Sequence, residues 1–133
     1  HDLDMEITGD DYARHGLVAA EMLGGVLPAE FIHAIKAHNG KLNGTVRTTR
    51  LDFLLSAAES VTGLISATAL IHPDRSLGSV SPASVMKRMG KTGFARNVHR
   101  ARIEECAEAG WELEEFVTLA LNAMKRIAPE IGL

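Results

Sequence analysis

The sequence predicts an all-α fold, a bundle of five to seven helices packed around one long apolar helix. Apolar residues recur at the spacing of a helix face through most of the chain. Val, Ile and Thr sit inside those periods rather than in the alternation of a half-buried strand. Gly and Pro fall where helices start or stop. A length of 133 residues suits a single domain.

Each element follows from local signals. Thr8-Gly9-Asp10-Asp11 reads as a capped start for a helix running to about Leu23, ended by Gly24-Gly25. Pro28 suits a first-turn position, and the next helix runs to about Asn39, ended by Gly40. Residues 41–48 read as a polar loop. A long helix spans about Thr49 to Ile71, halted by His72-Pro73-Asp74. Its length and near-continuous apolarity place it at the centre of the bundle. Ser81-Pro82 opens a short helix carrying Val85 to Met89, and residues 93–109 form another, ended by Gly110. In the last helix Leu113, Phe116, Val117, Ala120, Met124 and Ile127 fall on one stripe.

The bulk composition narrows the function. The chain is 46% hydrophobic and 23% charged with a net charge of -3, so general nucleic-acid binding, which needs a basic excess, is not expected. The single cysteine, Cys106, precludes an internal disulfide and fits a reducing cytoplasm. No run reaches the ~18 apolar residues of a membrane span, and no signal peptide is read. The sequence opens at His1 rather than at a methionine, which suggests processing, an upstream part outside this sequence, or a cloning scar at His1.

Spacing sorts the six histidines. His15 shares a helical face with Ala19, Met22 and Leu23, and His38 follows Phe31, Ala34 and Ile35, so both rings are expected on apolar faces. His33 falls on the outer face, His72 at a helix end, and His99 among Arg96, Arg100 and Arg102. A single histidine on an apolar face is more often a core residue bonded to a carbonyl. Two of them, together with the His1-Asp2 pair, offer imidazole and carboxylate donors for a divalent ion. On the long helix Asp52, Ser56, Glu59, Gly63 and Ser66 form a small polar stripe. Asp52 reads as solvent-facing. Glu59, beside Ala57, Ala58, Val61 and Leu64, reads as buried and in need of a cation, a metal or hydrogen bonds.

Those residues, taken in order, resemble the HD superfamily of metal-dependent phosphohydrolases, in its small HDIG-type branch. The markers are His1-Asp2-Leu3-Asp4, His15-Gly16 with Ala19-Ala20-Glu21, Ala34-Ile35 and His38-Asn39. They continue through Ala57-Ala58-Glu59, Thr62-Gly63-Leu64-Ile65, the Ala69-Leu70-Ile71 run, Ser84-Val85, Lys87-Arg88, Phe94-Ala95 and Phe116 to Met124. The resemblance implies an HD-like helical bundle with a metal site. It matches His1 and Asp2 to the family's central pair, His15 and His38 to its additional histidines, and Glu59 to its later aspartate. The family's first histidine lies on a helix upstream of the pair, so relative to the family the domain is N-terminally incomplete.

What the resemblance implies is hydrolysis of a small phosphorylated molecule, a nucleotide or phosphomonoester, with Asp2 and Glu59 at the reaction centre. A divalent ion held by imidazole and carboxylate lowers the pKa of water beside it. The mixed N/O donor set suits Mn, Fe, Co, Ni or Zn. Lys87, Arg88, Lys91, Arg96 and Arg100 are candidates for holding the phosphate, against the plain alternative of a solvated basic face. Two rivals stay open: a non-catalytic module of the same fold that binds a nucleotide or partner protein, and an oxygenase built on a di-iron cluster. The oligomeric state is not readable from the sequence.

Overall fold

The computed structural model describes all 133 residues, 1–133. The chain is all-helical: α1 (Met5–Thr8), α2 (Leu17–Met22), α3 (Ala29–His38), α4 (Gly40–Asn43), α5 (Arg50–Leu70), α6 (Pro82–Met89), α7 (Arg100–Glu104), α8 (Leu113–Arg126) and α9 (Ala128–Ile131). Short 3₁₀ segments cover Leu77–Ser79 and Glu105–Ala109. Five of the nine helices have six residues or more, and the rest are about one turn each. Backbone contacts divide the chain into two compact units, His1–Ser56 and Ala57–Leu133, with the division inside α5.

In the first unit α2 packs on α3. Ala19, Ala20 and Ile35 form its apolar centre, with Leu23, Leu27 and Ile32 against it. Small side chains at the crossing let the helices approach closely, and Gly16 carries this furthest. Its φ is +83°, a left-handed conformation that favours glycine. A Cβ there would lie 2.8 Å from the Ile35 carbonyl oxygen and 3.0 Å from Cε1 of His38.

The first helix differs most from expectation. Instead of one helix from Thr8 to Leu23, the chain makes α1, a run of turns, and then α2. Two glycines explain the break: Gly9 at φ +52° and Gly16 at φ +83° both leave right-handed helical geometry. The phase drawn across that stretch fails with it. Met22 is exposed, and so is Phe31 on α3.

The long helix has the expected limits within one residue at each end. Ala57, Val61, Leu64, Ile65 and Ala69 are buried on one face. Its polar stripe is reversed, however. Asp52 is fully buried, whereas Glu59 and Gly63 are exposed. A helix apolar on most sides gives little phase information, so either assignment was compatible with the sequence. Asp52 is buried because it closes the helix start. Its Oδ2 accepts the amides of Thr48 and Thr49, each at 2.8 Å, and the Asp52 amide donates back to Thr49 Oγ1 at 3.2 Å. His33 Nδ1 lies 3.0 Å from Asp52 Oδ1, so His33 is part-buried and paired rather than simply solvated. By length and composition α5 is apolar enough to cross a membrane, which the count of consecutive apolar residues missed; 44% of its most apolar window is buried inside the fold.

In the second unit α8 packs on α6 and on both 3₁₀ segments. Leu77, Val80, Val85, Ile103, Cys106, Val117 and Leu121 are buried there. Leu121 takes the place expected for Ile127, which is exposed. Ser81 caps α6 in a reciprocal box with Ser84, with Pro82 in the first turn, as the sequence predicts. Residues 93–99 are not helical, contrary to expectation. They form turns whose carbonyls at Phe94, Ala95 and Val98 accept hydrogen bonds from the Arg100 guanidinium.

Candidate metal centre

The site in the first unit starts from a buried carboxylate. Asp4 stands at the N-cap of α1, but its side chain makes no capping bond there. It reaches across to the start of α2, where Oδ2 accepts the amides of Gly16 at 2.8 Å and Ala19 at 2.9 Å. Its other oxygen, Oδ1, accepts from His15 Nδ1 at 2.8 Å. Burial would raise the Asp4 pKa, but the Ala19 and Gly16 amides and the His15 ring outweigh it and hold the group below the usual carboxylate value. An ionised carboxylate only accepts hydrogen bonds, so His15 Nδ1 carries the proton and Nε2 presents a lone pair.

His38, the last residue of α3, is fixed in the same sense. Its Nδ1 donates to the carbonyl of Ile35 one turn earlier, leaving Nε2 as the acceptor. The ring is 1% exposed. Burial is the main cause that lowers its pKa, with the nearby His15 adding to it, so the neutral form prevails near neutral pH.

The two Nε2 atoms face each other at 3.1 Å. Asp2 Oδ1 completes a triangle, 3.4 Å from His15 Nε2 and 3.7 Å from His38 Nε2. Its other oxygen lies 3.0 Å from His1 Nε2, and the His1 ring meets His38 edge-on with centroids 4.8 Å apart. The Asp2 side chain is 51% exposed, so the triangle opens to solvent on that side.

Three acceptors this close repel one another unless a cation lies among them. The spacing itself suits a metal. Donors bound at ~2.0–2.1 Å and ~90–109° apart sit ~2.9–3.4 Å from each other. The His15–His38 and His15–Asp2 separations fall in that range and the His38–Asp2 separation lies just beyond it. Each histidine also has the outer hydrogen bond that metal-ligating imidazoles carry, one to a carboxylate and one to a backbone carbonyl. These residues fit a divalent ion.

The scaffold behind the ligands is equally specific. The His15 carbonyl accepts from the side-chain amides of Asn39 and Asn43, each at 3.3 Å. Asn39 also donates to Tyr12 at 2.6 Å, and Asn43 to Lys36 at 2.9 Å. His15 therefore sits in a turn pinned from three directions, not on the helical face the sequence suggested.

Of the residues singled out from the sequence, His1, Asp2, His15 and His38 come together in the first unit. Glu59 belongs to the second unit, where its exposed carboxylate lies 3.6 Å from Arg102 Nη1. Lys87, Arg88, Arg96 and Arg100 also belong to the second unit. Asp4 was missed as a site residue. Its only sequence signal was its place two residues after Asp2, because its partners lie 11 to 15 residues away. No family model, curated protein or solved structure matches the chain.

Proposed function

We propose that this protein is a metal-dependent phosphohydrolase acting on a small phosphorylated molecule, with its metal centre at Asp2, His15 and His38 and with His1 beside them. The observation that carries the reading is the triangle of electron-rich donors, each imidazole locked with Nε2 free. The donor set matches Mn, Fe, Co, Ni or Zn. A bound divalent ion would supply Lewis acidity toward a phosphoryl oxygen and lower the pKa of water beside it. The protein's own share is positional. Asp4 and the Ile35 carbonyl fix the two rings, while solvent-facing Asp2 can hold the ion or take a proton from attacking water.

The test is to strip the protein with a chelator, reload it with each metal, and follow phosphate release from nucleotides and phosphomonoesters. Expected is metal-stimulated turnover that falls at least about 10²-fold in His38→Ala and Asp2→Ala. Activity unaffected by both substitutions would locate the turnover elsewhere. Stoichiometric metal binding without turnover would favour a non-catalytic binding module. A specific feature supports one second reading: two histidines and one carboxylate are also the ligand set of non-haem iron oxygenases. Iron retention with oxygen uptake would favour that reading over hydrolysis.

A further inference from the structure

The second unit carries a cavity of about 190 Å³ lined by Ile71, Lys87, Arg88, Lys91 and Phe94. Three of these five residues are cationic and none is acidic. The local sequence is one-sided as well, with no Asp or Glu between Asp74 and Glu104 in a chain whose net charge is -3. Part of this charge has a plain role, since Lys87 and Arg88 lie in the last turn of α6 and offset the helix dipole. Lys91 lies beyond that helix, and the dipole does not account for the apolar wall.

The cavity is built rather than incidental. Arg88 is held by donation from Nη1 to the Ser84 carbonyl at 2.8 Å, with its guanidinium carbon 5.5 Å from the centroid of the Phe94 ring. Guanidinium over an aromatic face leaves its remaining N–H groups directed outward. The loop carrying Lys91 and Phe94 is fixed at its carbonyls: the Arg100 guanidinium donates to both residues. Arg100 thus organises the loop, and Lys87, Arg88 and Lys91 are the cations left around the cavity. Lys87 and Lys91 are exposed, and Ile71 is 55% exposed, so the cavity is open to solvent. A preformed cavity of this kind binds without a large ordering cost.

We propose that this cavity binds a small, water-soluble organic phosphate, its phosphate at Lys87, Arg88 and Lys91 and its apolar or aromatic body against Phe94 and Ile71. A bare inorganic anion would leave the Phe94–Ile71 wall unused, and an uncharged aromatic would leave three cations uncompensated. The site needs no metal and stands independently of the histidine centre.

The experiment titrates the intact ¹⁵N-labelled protein, in chelator, with phenyl phosphate, inorganic phosphate and phenol, following amide shifts by NMR. Saturable shifts are expected in residues 87–94, with phenyl phosphate binding at least about fivefold tighter than inorganic phosphate. The double variant Lys87→Gln/Lys91→Gln, at exposed positions, should weaken phenyl phosphate at least about tenfold. Phe94→Leu should remove the preference for phenyl phosphate while leaving inorganic phosphate binding in place. Shifts that do not saturate by about 10 mM, or an affinity unchanged in the double variant, would overturn the proposal. Equal binding of the two phosphates would overturn its organic part. Co-sedimentation with phosphatidic acid vesicles in preference to phenyl phosphate binding would overturn the soluble ligand.

Discussion

Asp4 is buried with its carboxylate divided between a helix and an imidazole. One oxygen takes two amides at the start of α2, and the other orients His15. Replacing it by Asn keeps the size but removes the charge. Asp4→Asn should lower metal affinity about 10–100-fold, measured by calorimetric titration, because outer partners fix the ring and raise ligand basicity. Retained far-UV circular dichroism would separate this effect from unfolding. Gly16 makes a related demand. Gly16→Ala would force a Cβ toward the Ile35 carbonyl and His38 at a left-handed φ, costing about 1–3 kcal/mol in urea denaturation. A neutral effect would mean that α2 and α3 can move apart. His38 was legible in the sequence because Ala34 and Ile35, one turn before it, are apolar and buried, whereas His15 was reached through a helical phase that the fold does not have. Asp4 was not, because a buried carboxylate that bonds across more than ten residues leaves no periodic trace.

At the scale of the element, punctuation was more legible than phase. Pro28, Ser81-Pro82 and Gly110 marked their boundaries through fixed φ, capping hydroxyls and left-handed stops, and α3, α6 and α8 lie close to where these signals put them. The stretch from Thr8 to Leu23 was misread because its apolar spacing survives two glycine breaks. On α5 the apolar surround hid which polar residues face inward, and Asp52 and Glu59 exchanged roles. Asp52 supplies a pH test. Burial would raise its pKa, but the Thr48 and Thr49 amides and His33 outweigh it and leave the group depressed. A carboxyl depressed on folding contributes stability that is present above its unfolded pKa of ~3.9 and lost as pH falls through the folded value. Asp52→Asn should therefore cost about 1–2 kcal/mol at pH 7. Its deficit relative to the parent should shrink below pH ~4. Parallel stability curves for the two proteins across that range would contradict the linkage.

For the whole molecule, Asp2, His15 and His38 all belong to the first unit, so an ion bound by these three stabilises that unit directly. At 100 times its dissociation constant, a ligand of the folded state adds about 2.7 kcal/mol. The expected result by scanning calorimetry is a rise on the order of 10 °C in the transition of the first unit, reversed by chelator. No shift with any of Mn, Fe, Co, Ni or Zn would count against the centre.

The cysteine in the second unit gives the experimenter an intrinsic clock. Cys106 is fully buried, and burial, helped by the charges of Glu112 and Glu104, pushes its thiol pKa up. It is the single thiol in the chain, and its reagent-accessible form exists only when the surrounding packing opens. Colour development with an aromatic disulfide reagent therefore times the opening of the second unit without any label or mutation. Modification should run at least ~10³-fold slower than for an unfolded peptide thiol. Repeated with metal, the same trace tells whether the two units open together: a slower reaction means they share one cooperative event, and an unchanged one means that each opens alone.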